Sequence, residues 1–151
     1  MLYTVAMRIK VCPVGTVENG IVQNHKFDAV ETVSRIVIAP RYIRALDGIE
    51  AFSHIVVLFW LHEIKNKERV ILRVHPRRDP LIPLTGVFAT RSPVRPNPIG
   101  MTTVKLIKKE GNIITVTGLD AIDGTPVLDI KPYIPENFPQ SEITVAGWSK
   151  K

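Results

Sequence analysis

Apolar and polar positions alternate over several short, β-branched stretches of this 151-residue chain. From Val30 to Ile38 the alternation sets Val30, Thr32 and Ser34 against Glu31, Val33 and Arg35, the period-two signature of a strand with two unlike faces. Ile55 to Leu61 is instead a continuous apolar run, which fits a strand covered on both sides. Arg69 to Val74 mixes charged and aliphatic side chains and predicts a further strand. Ile99 to Lys108 and Ile113 to Leu119 flank Glu110-Gly111-Asn112, where glycine supplies the positive φ that a tight hairpin asks for. Val127 to Ile130 adds one more short strand, and the best helix candidate, Arg41 to Ser53, is interrupted by Gly48.

Prolines sharpen this picture. Pro76, Pro80, Pro83, Pro93, Pro96 and Pro98 punctuate the centre, and Pro126, Pro132, Pro135 and Pro139 the end. A helix interior rejects proline by about 3 kcal/mol, so neither segment forms a long helix. Short strands with turn signals at close spacing predict a mainly β domain, a barrel or sandwich with one or two short helices. No βαβ pattern and no internal repeat is present. Nor does any Gly-x-Gly occur, which excludes the dinucleotide fingerprint and the Walker loop at motif level.

Length and composition fit one globular domain. The longest apolar run, Ile55 to Leu61, is far short of the roughly twenty residues of a membrane span. Met1 to Val11 lacks a basic segment followed by a long apolar one, so a cytoplasmic protein is expected. A single cysteine, Cys12, excludes an intrachain disulfide and a cysteine-built metal cluster.

Charge changes the picture more. The chain carries +6, and it is uneven: between Ile64 and Lys109 eleven basic residues face only Glu68 and Asp79, giving this stretch +9. Such a basic middle suits a polyanionic partner, because neutralised phosphates release counterions. An ordinary solvated surface is the plainer reading.

Three constellations hold candidate chemistry. Gly86-Val-Phe-Ala-Thr-Arg91-Ser-Pro-Val-Arg95-Pro-Asn97-Pro98-Ile-Gly100 presents two arginines and an asparagine on a proline-stiffened loop. Guanidinium forks bind carboxylates and phosphates in a bidentate way, so this loop is a candidate anion site; the alternative is a rigid strand connection. Asp120-Ala-Ile-Asp123-Gly124-Thr125-Pro126-Val-Leu-Asp129-Ile-Lys131-Pro132-Tyr133 contains a tight-turn sequence whose aspartates lack the spacing of a calcium loop, so no metal is expected. His62-Glu63 closes the apolar strand as an acid–base pair or as a rim hydrogen bond; Asn66 stands where a zinc-binding helix would need its second histidine. His25 and His75 are isolated and read as surface or turn residues.

Together with Glu50-Ala-Phe-Ser-His54, these motifs resemble the TsaA-like (TrmO) family over most of Gly15 to Ile134. The resemblance implies a compact single-domain β-barrel over residues 1–151, its motif-bearing core about 15–134. It implies S-adenosylmethionine bound without a Rossmann fold, commonly by a homodimer, and methylation of N6 of threonylcarbamoyladenosine in tRNA next to the anticodon. On that basis His62, Glu63, Arg91, Asp123, Gly124, Thr125 and Pro126 are expected at the cofactor. Arg95, Asn97, Lys131 and Tyr133 are expected at the substrate, and Glu63 or Asp129 is the candidate base. The family's N-terminal Pro-Arg-Gln is absent from His25 to Ser34, and the only Pro-Arg before the core is Pro40-Arg41, followed by Tyr42. A non-catalytic RNA-binding barrel, or a methyltransferase of the same fold with a small-molecule substrate, are the alternatives.

Overall fold

The computed structural model describes residues 9–22, 31–139 and 141–150; Val30 and His25 lie outside them. Six strands close into an antiparallel barrel: β1 (Gly15–Glu18), β2 (Val33–Ile38), β3 (His54–Trp60), β6 (Ile99–Glu110), β7 (Ile113–Thr117) and β8 (Pro126–Pro132). Around the barrel the order is β1-β2-β7-β6-β3-β8, with β8 pairing back onto β1. Closure leaves no free edge among these six, which removes the main aggregation risk of a small sheet.

The core follows the alternation. Ser34, Ile36 and Ile38 point inward from β2, while Val33 and Arg35 face out. Val17, Ile55, Val57, Phe59, Val104, Ile114, Val116, Leu119 and Val127 complete the interior. On β3, Val56 is buried as well, so the strand is covered on both faces over Ile55–Val57, as its apolar run predicts. Outside, Glu18 and Arg35 sit opposite each other in the register and form a 3.3 Å ion pair.

Two glycines serve this geometry. Gly111, with φ 60°, opens the two-residue connection between Glu110 and Ile113, as the hairpin signal predicts. Gly100 lies opposite Phe59, and a Cβ there would sit 2.2 Å from the Phe59 ring. The ring fills the space that a side chain at position 100 would need.

Three features differ from the sequence reading. The helical stretch expected over Arg41–Ser53 is present and broken at Gly48 (φ 83°) as expected, but it is of 3-10 type, at Pro40–Leu46 and Ile49–Ala51. Pro40 starts the first, and Gly48 ends any continuous helix. The strand over Arg69–Val74 shrinks to β4 (Arg73–Val74), paired with β5 (Thr85–Gly86) in a ribbon outside the barrel. Val70, Ile71 and Leu72 are exposed, so among the described residues no second layer covers them to reward strand pairing. A four-residue strand, β1, appears that the pattern does not announce; it is too short to show a period.

Between β3 and β6 the chain leaves the barrel for an excursion over residues 61–98. It holds the ribbon β4–β5, short 3-10 turns and the proline-rich loop, and its Arg78 and Pro93 line a cleft with Ala121, Ile122 and Thr125. Among the described residues no helix is long and apolar enough to cross a membrane.

Candidate functional site

The site is built where β3 runs out. The Leu61 N–H donates to the Pro98 carbonyl (2.8 Å), tying the end of β3 to the approach to β6. The Ile64 N–H then donates to Leu61 O (3.1 Å) and closes a turn that holds His62 and Glu63 exposed on the rim.

The facing wall is Asp120 to Thr125. Asp123 is turned away from the rim: its Oδ1 accepts from the backbone N–H groups of Asn19 (2.7 Å) and Gly20 (3.0 Å). Those two bonds, Gly20 first, hold its carboxyl below the usual carboxylate range. Gly124 N–H donates to Val17 O and Val17 N–H to Thr125 O, each at 2.9 Å, so the turn is zipped to β1. Asn19 finishes the brace by donating from Nδ2 to Ser34 Oγ (3.0 Å) and Ala121 O (2.9 Å). The fully buried Ser34 is thereby satisfied. One consequence is a rigid wall.

Between rim and wall lies a cleft of about 510 Å³. His62, Glu63, Arg78, Asp120 and Thr125 supply its polar groups; Leu61, Ile64, Pro93, Ala121 and Ile122 supply apolar surface. A second cleft of about 380 Å³ adjoins it, sharing Leu61, Pro93 and Asp120, and is lined by Arg91, Arg95, Phe59 and Met101. The arginines differ in their duties. Arg95 donates to three carbonyls, Ser92 (2.8 Å, from Nε), Thr90 (2.8 Å) and Val87 (3.2 Å), and so stands in for secondary structure within its own loop. Arg91 is exposed and donates to Met101 O, which leans its guanidinium across the start of β6.

The fold therefore brings His62, Glu63 and Thr125 into one cleft and Arg91 and Arg95 into its neighbour. It does not gather the rest. Asn97 and Pro126 line a separate hollow beside Trp60 and Leu128. Asp129 and Lys131 pair with each other at 2.8 Å at the edge of a cavity of about 240 Å³ beneath Tyr42, Leu46 and Ile49. Tyr133 stacks on Phe138, centroids 4.7 Å apart, and Gly124 belongs to the braced turn. Asp120 is the residue that sequence reasoning missed; it lines both joined clefts. Its only signal is its place in the same aspartate-rich motif, just beyond the end of β7.

This donor set suits a ligand of mixed character. Glu63 and Asp120 offer carboxylates to a cation or hydroxyls, Arg91 and Arg78 offer guanidinium groups to an anion, and the apolar walls accept a flat ring. Among the described residues no cluster of His, Cys, Asp and Glu is arranged to hold a metal ion.

Comparison with known proteins points the same way. Residues 19–137 match the model of the tRNA-methyltransferase O N-terminal domain. A probable S-adenosyl-L-methionine-binding protein of Methanothermobacter thermautotrophicus is 47% identical over 133 residues, 84% of this chain and 91% of the relative. The mouse tRNA (adenine(37)-N6)-methyltransferase is 50% identical over 90 residues, 60% of this chain but 20% of its own length. The crystal structure of TrmO from Pseudomonas aeruginosa superposes with a TM-score of 0.76 at 30% identity, covering 95% of this chain. This chain spans 63% of that structure's length. By a barrel closed in this order, a rim carrying His62 and Glu63, and a family match over most of its length, the chain belongs to the tRNA-methyltransferase O N-terminal domain family.

Proposed function

We propose that this protein binds S-adenosylmethionine in the joined clefts and methylates N6 of threonylcarbamoyladenosine in tRNA next to the anticodon. The observation that carries this reading is the convergence of Glu63, Asp120 and Arg91 on the two connected clefts of a barrel from this family. S-adenosylmethionine, when bound, supplies an electrophilic methyl group on a sulfonium. The residues fit it: acidic groups for its cationic and hydroxyl parts, Arg91 for its carboxylate, apolar walls for its adenine.

The chain's own residues then have two duties. They hold the acceptor nitrogen in place, since positioning supplies much of the rate of a bimolecular transfer. They also remove its proton. That nitrogen lies between an electron-poor purine and a carbamoyl carbonyl, so a carboxylate is base enough. Glu63 takes this role, with Asp120 beside it in the same cleft; Asp129, in its ion pair with Lys131, is outside. The basic excursion supplies phosphate contacts for the tRNA. The protein works as a homodimer in the cytoplasm; Leu81 (90% exposed) and Phe88 (83% exposed) are large apolar groups left on its surface.

The test is methyl transfer from labelled S-adenosylmethionine to tRNA with and without threonylcarbamoyladenosine, with mass analysis of the released nucleosides. Product should form only on the modified tRNA, and Glu63→Gln should slow it by about 10²–10⁴-fold. Cofactor binding without transfer to any tRNA would point to a small-molecule acceptor. No cofactor binding at all would leave an RNA-binding barrel.

A further inference from the structure

On the far side of the proline-rich loop is a third hollow, of about 310 Å³, lined by Arg77, Arg78, Arg91, Ser92, Pro93 and Trp148 among others. All three hollows meet at Pro93. Arg78 is shared with the cleft that holds Glu63, and Arg91 with the cleft beside it.

Arg77 (φ 57°) and Arg78 (φ 60°) are the two non-glycine residues in the left-handed region among the described residues, and they are consecutive. Side chains with a Cβ avoid this conformation, and it persists only where surrounding bonds over-determine it. Those bonds are present. Pro76 is buried, Arg78 N–H donates to His75 O (3.1 Å), Asp79 N–H to Pro76 O (3.1 Å), and the His75 ring to Ile82 O (2.6 Å). The turn thus holds two cations outward, and among the described residues no carboxylate pairs with Arg77, Arg78 or Arg91. Trp148, half-buried, closes the hollow from a 3-10 turn at Gly147–Ser149. Arg77 reaches that segment, donating from Nη2 to Lys150 O (3.0 Å).

A half-buried indole beside guanidinium groups that no described carboxylate neutralises is the chemistry of single-stranded nucleic-acid binding, with an aromatic face for a base and cations for its phosphate. We infer that this hollow is a subsite for one unpaired ribonucleotide, the neighbour of the nucleotide whose base enters the reaction cleft. Trp148 stacks on the base, Arg78 holds the phosphate that joins the two nucleotides, and Arg77 positions the Trp148 segment. The inference rests on the methyltransferase reading for the identity of the adjoining cleft. The Trp148 contact itself is testable without it.

The probe is a short oligoadenylate, followed by tryptophan fluorescence and by direct binding. The wild-type protein should be quenched, whereas Trp148→Phe should lose the quench and keep most of the affinity. Trp60, on β3, is the other tryptophan and stays in place as an internal reference. Trp148→Ala should bind oligoadenylate about tenfold more weakly, with S-adenosylmethionine affinity by calorimetry unchanged. Arg77→Gly suits the left-handed backbone, so it should weaken oligoadenylate binding without lowering Tm. Unchanged oligoadenylate binding in Trp148→Ala, or no binding to the wild type, overturns the subsite. If S-adenosylmethionine fails to bind the wild type while Trp148-dependent quenching persists, the methyltransferase reading falls and the nucleotide subsite stands.

Discussion

The barrel and the excursion over residues 61–98 are made by one chain on opposite plans. In the barrel, backbone groups satisfy one another along six ladders, and side chains sort in and out by parity. In the excursion the strands are two residues long, and side chains take over the work of the backbone. Arg95 binds three carbonyls, Thr90 Oγ1 binds Val87 O, and His75 binds Ile82 O. The excursion also keeps strain and loose ends: two left-handed arginines, large exposed apolar groups, and Arg69 Nε, a buried donor with no hydrogen-bond partner among the described residues. Arg69 is steadied by the Trp60 ring, 5.1 Å away. The lesson is a division of labour. On the barrel ladders exposed charges such as Glu18 and Arg35 pair with each other, whereas Arg77, Arg78 and Arg91, without a carboxylate among the described residues, lie where the ladder stops.

The contrast can be broken most forcefully from the barrel side. Ile114, fully buried on β7, should cost about 3–4 kcal/mol on conversion to Ala, lowering Tm with a single cooperative transition. Hydrogen exchange should show the whole barrel affected. Next comes Arg95→Ala, which removes three hydrogen bonds to carbonyls and should cost about 2 kcal/mol. Here exchange should rise first in residues 87–95 while the barrel amides stay protected; equal loss in both would mean that the two regions unfold as one.

A smaller change isolates function from stability. Arg91→Ala should weaken S-adenosylmethionine binding by about tenfold with Tm nearly unchanged, and Arg91→Lys should recover only part, lacking the planar fork. Intact affinity with a lowered Tm would make Arg91 a brace like Arg95.

The subtlest test concerns Asp123. Its carboxyl is held below the ordinary value of 3.8, so the charged form is favoured in the folded state. Its contribution is therefore complete above that pH and fades as pH falls through the lowered value. Asp123→Asn should flatten the acid limb of urea-measured stability below pH 3.8 and change little at neutrality. Acid sensitivity identical to the wild type would show that the Asn19–Gly20 brace does not depend on charge.

The sequence legibly carries β2, β3, β6, β7 and β8: parity marks β2, an unbroken apolar run marks β3, and the turn at Gly111 brackets β6 and β7. It carries Gly111 too, since its positive φ is a local demand. β1 escapes because four residues are too few to show a period, and the 3-10 character of Pro40–Leu46 because the 3-10 and α patterns begin alike. The candidate site was half legible. His62, Glu63 and Arg91 stand out as chemistry at the ends of strong motifs, but three aspartates in one motif read alike.

Which aspartate faces the cleft is a matter of where each strand ends on the rim. Asp120 comes three residues after β7 and lines both clefts; Asp123 turns back to hold Asn19 and Gly20; Asp129 lies within β8 and pairs with Lys131. Local patterning alone determines the alternation, the turns and the placing of charge along the chain, because those depend on neighbours within a few residues. Barrel closure, the gathering of residues 62, 91, 120 and 148 around Pro93, and the separation of Asp129 from Glu63 depend on contacts between segments far apart in sequence. Only the tertiary structure decides them.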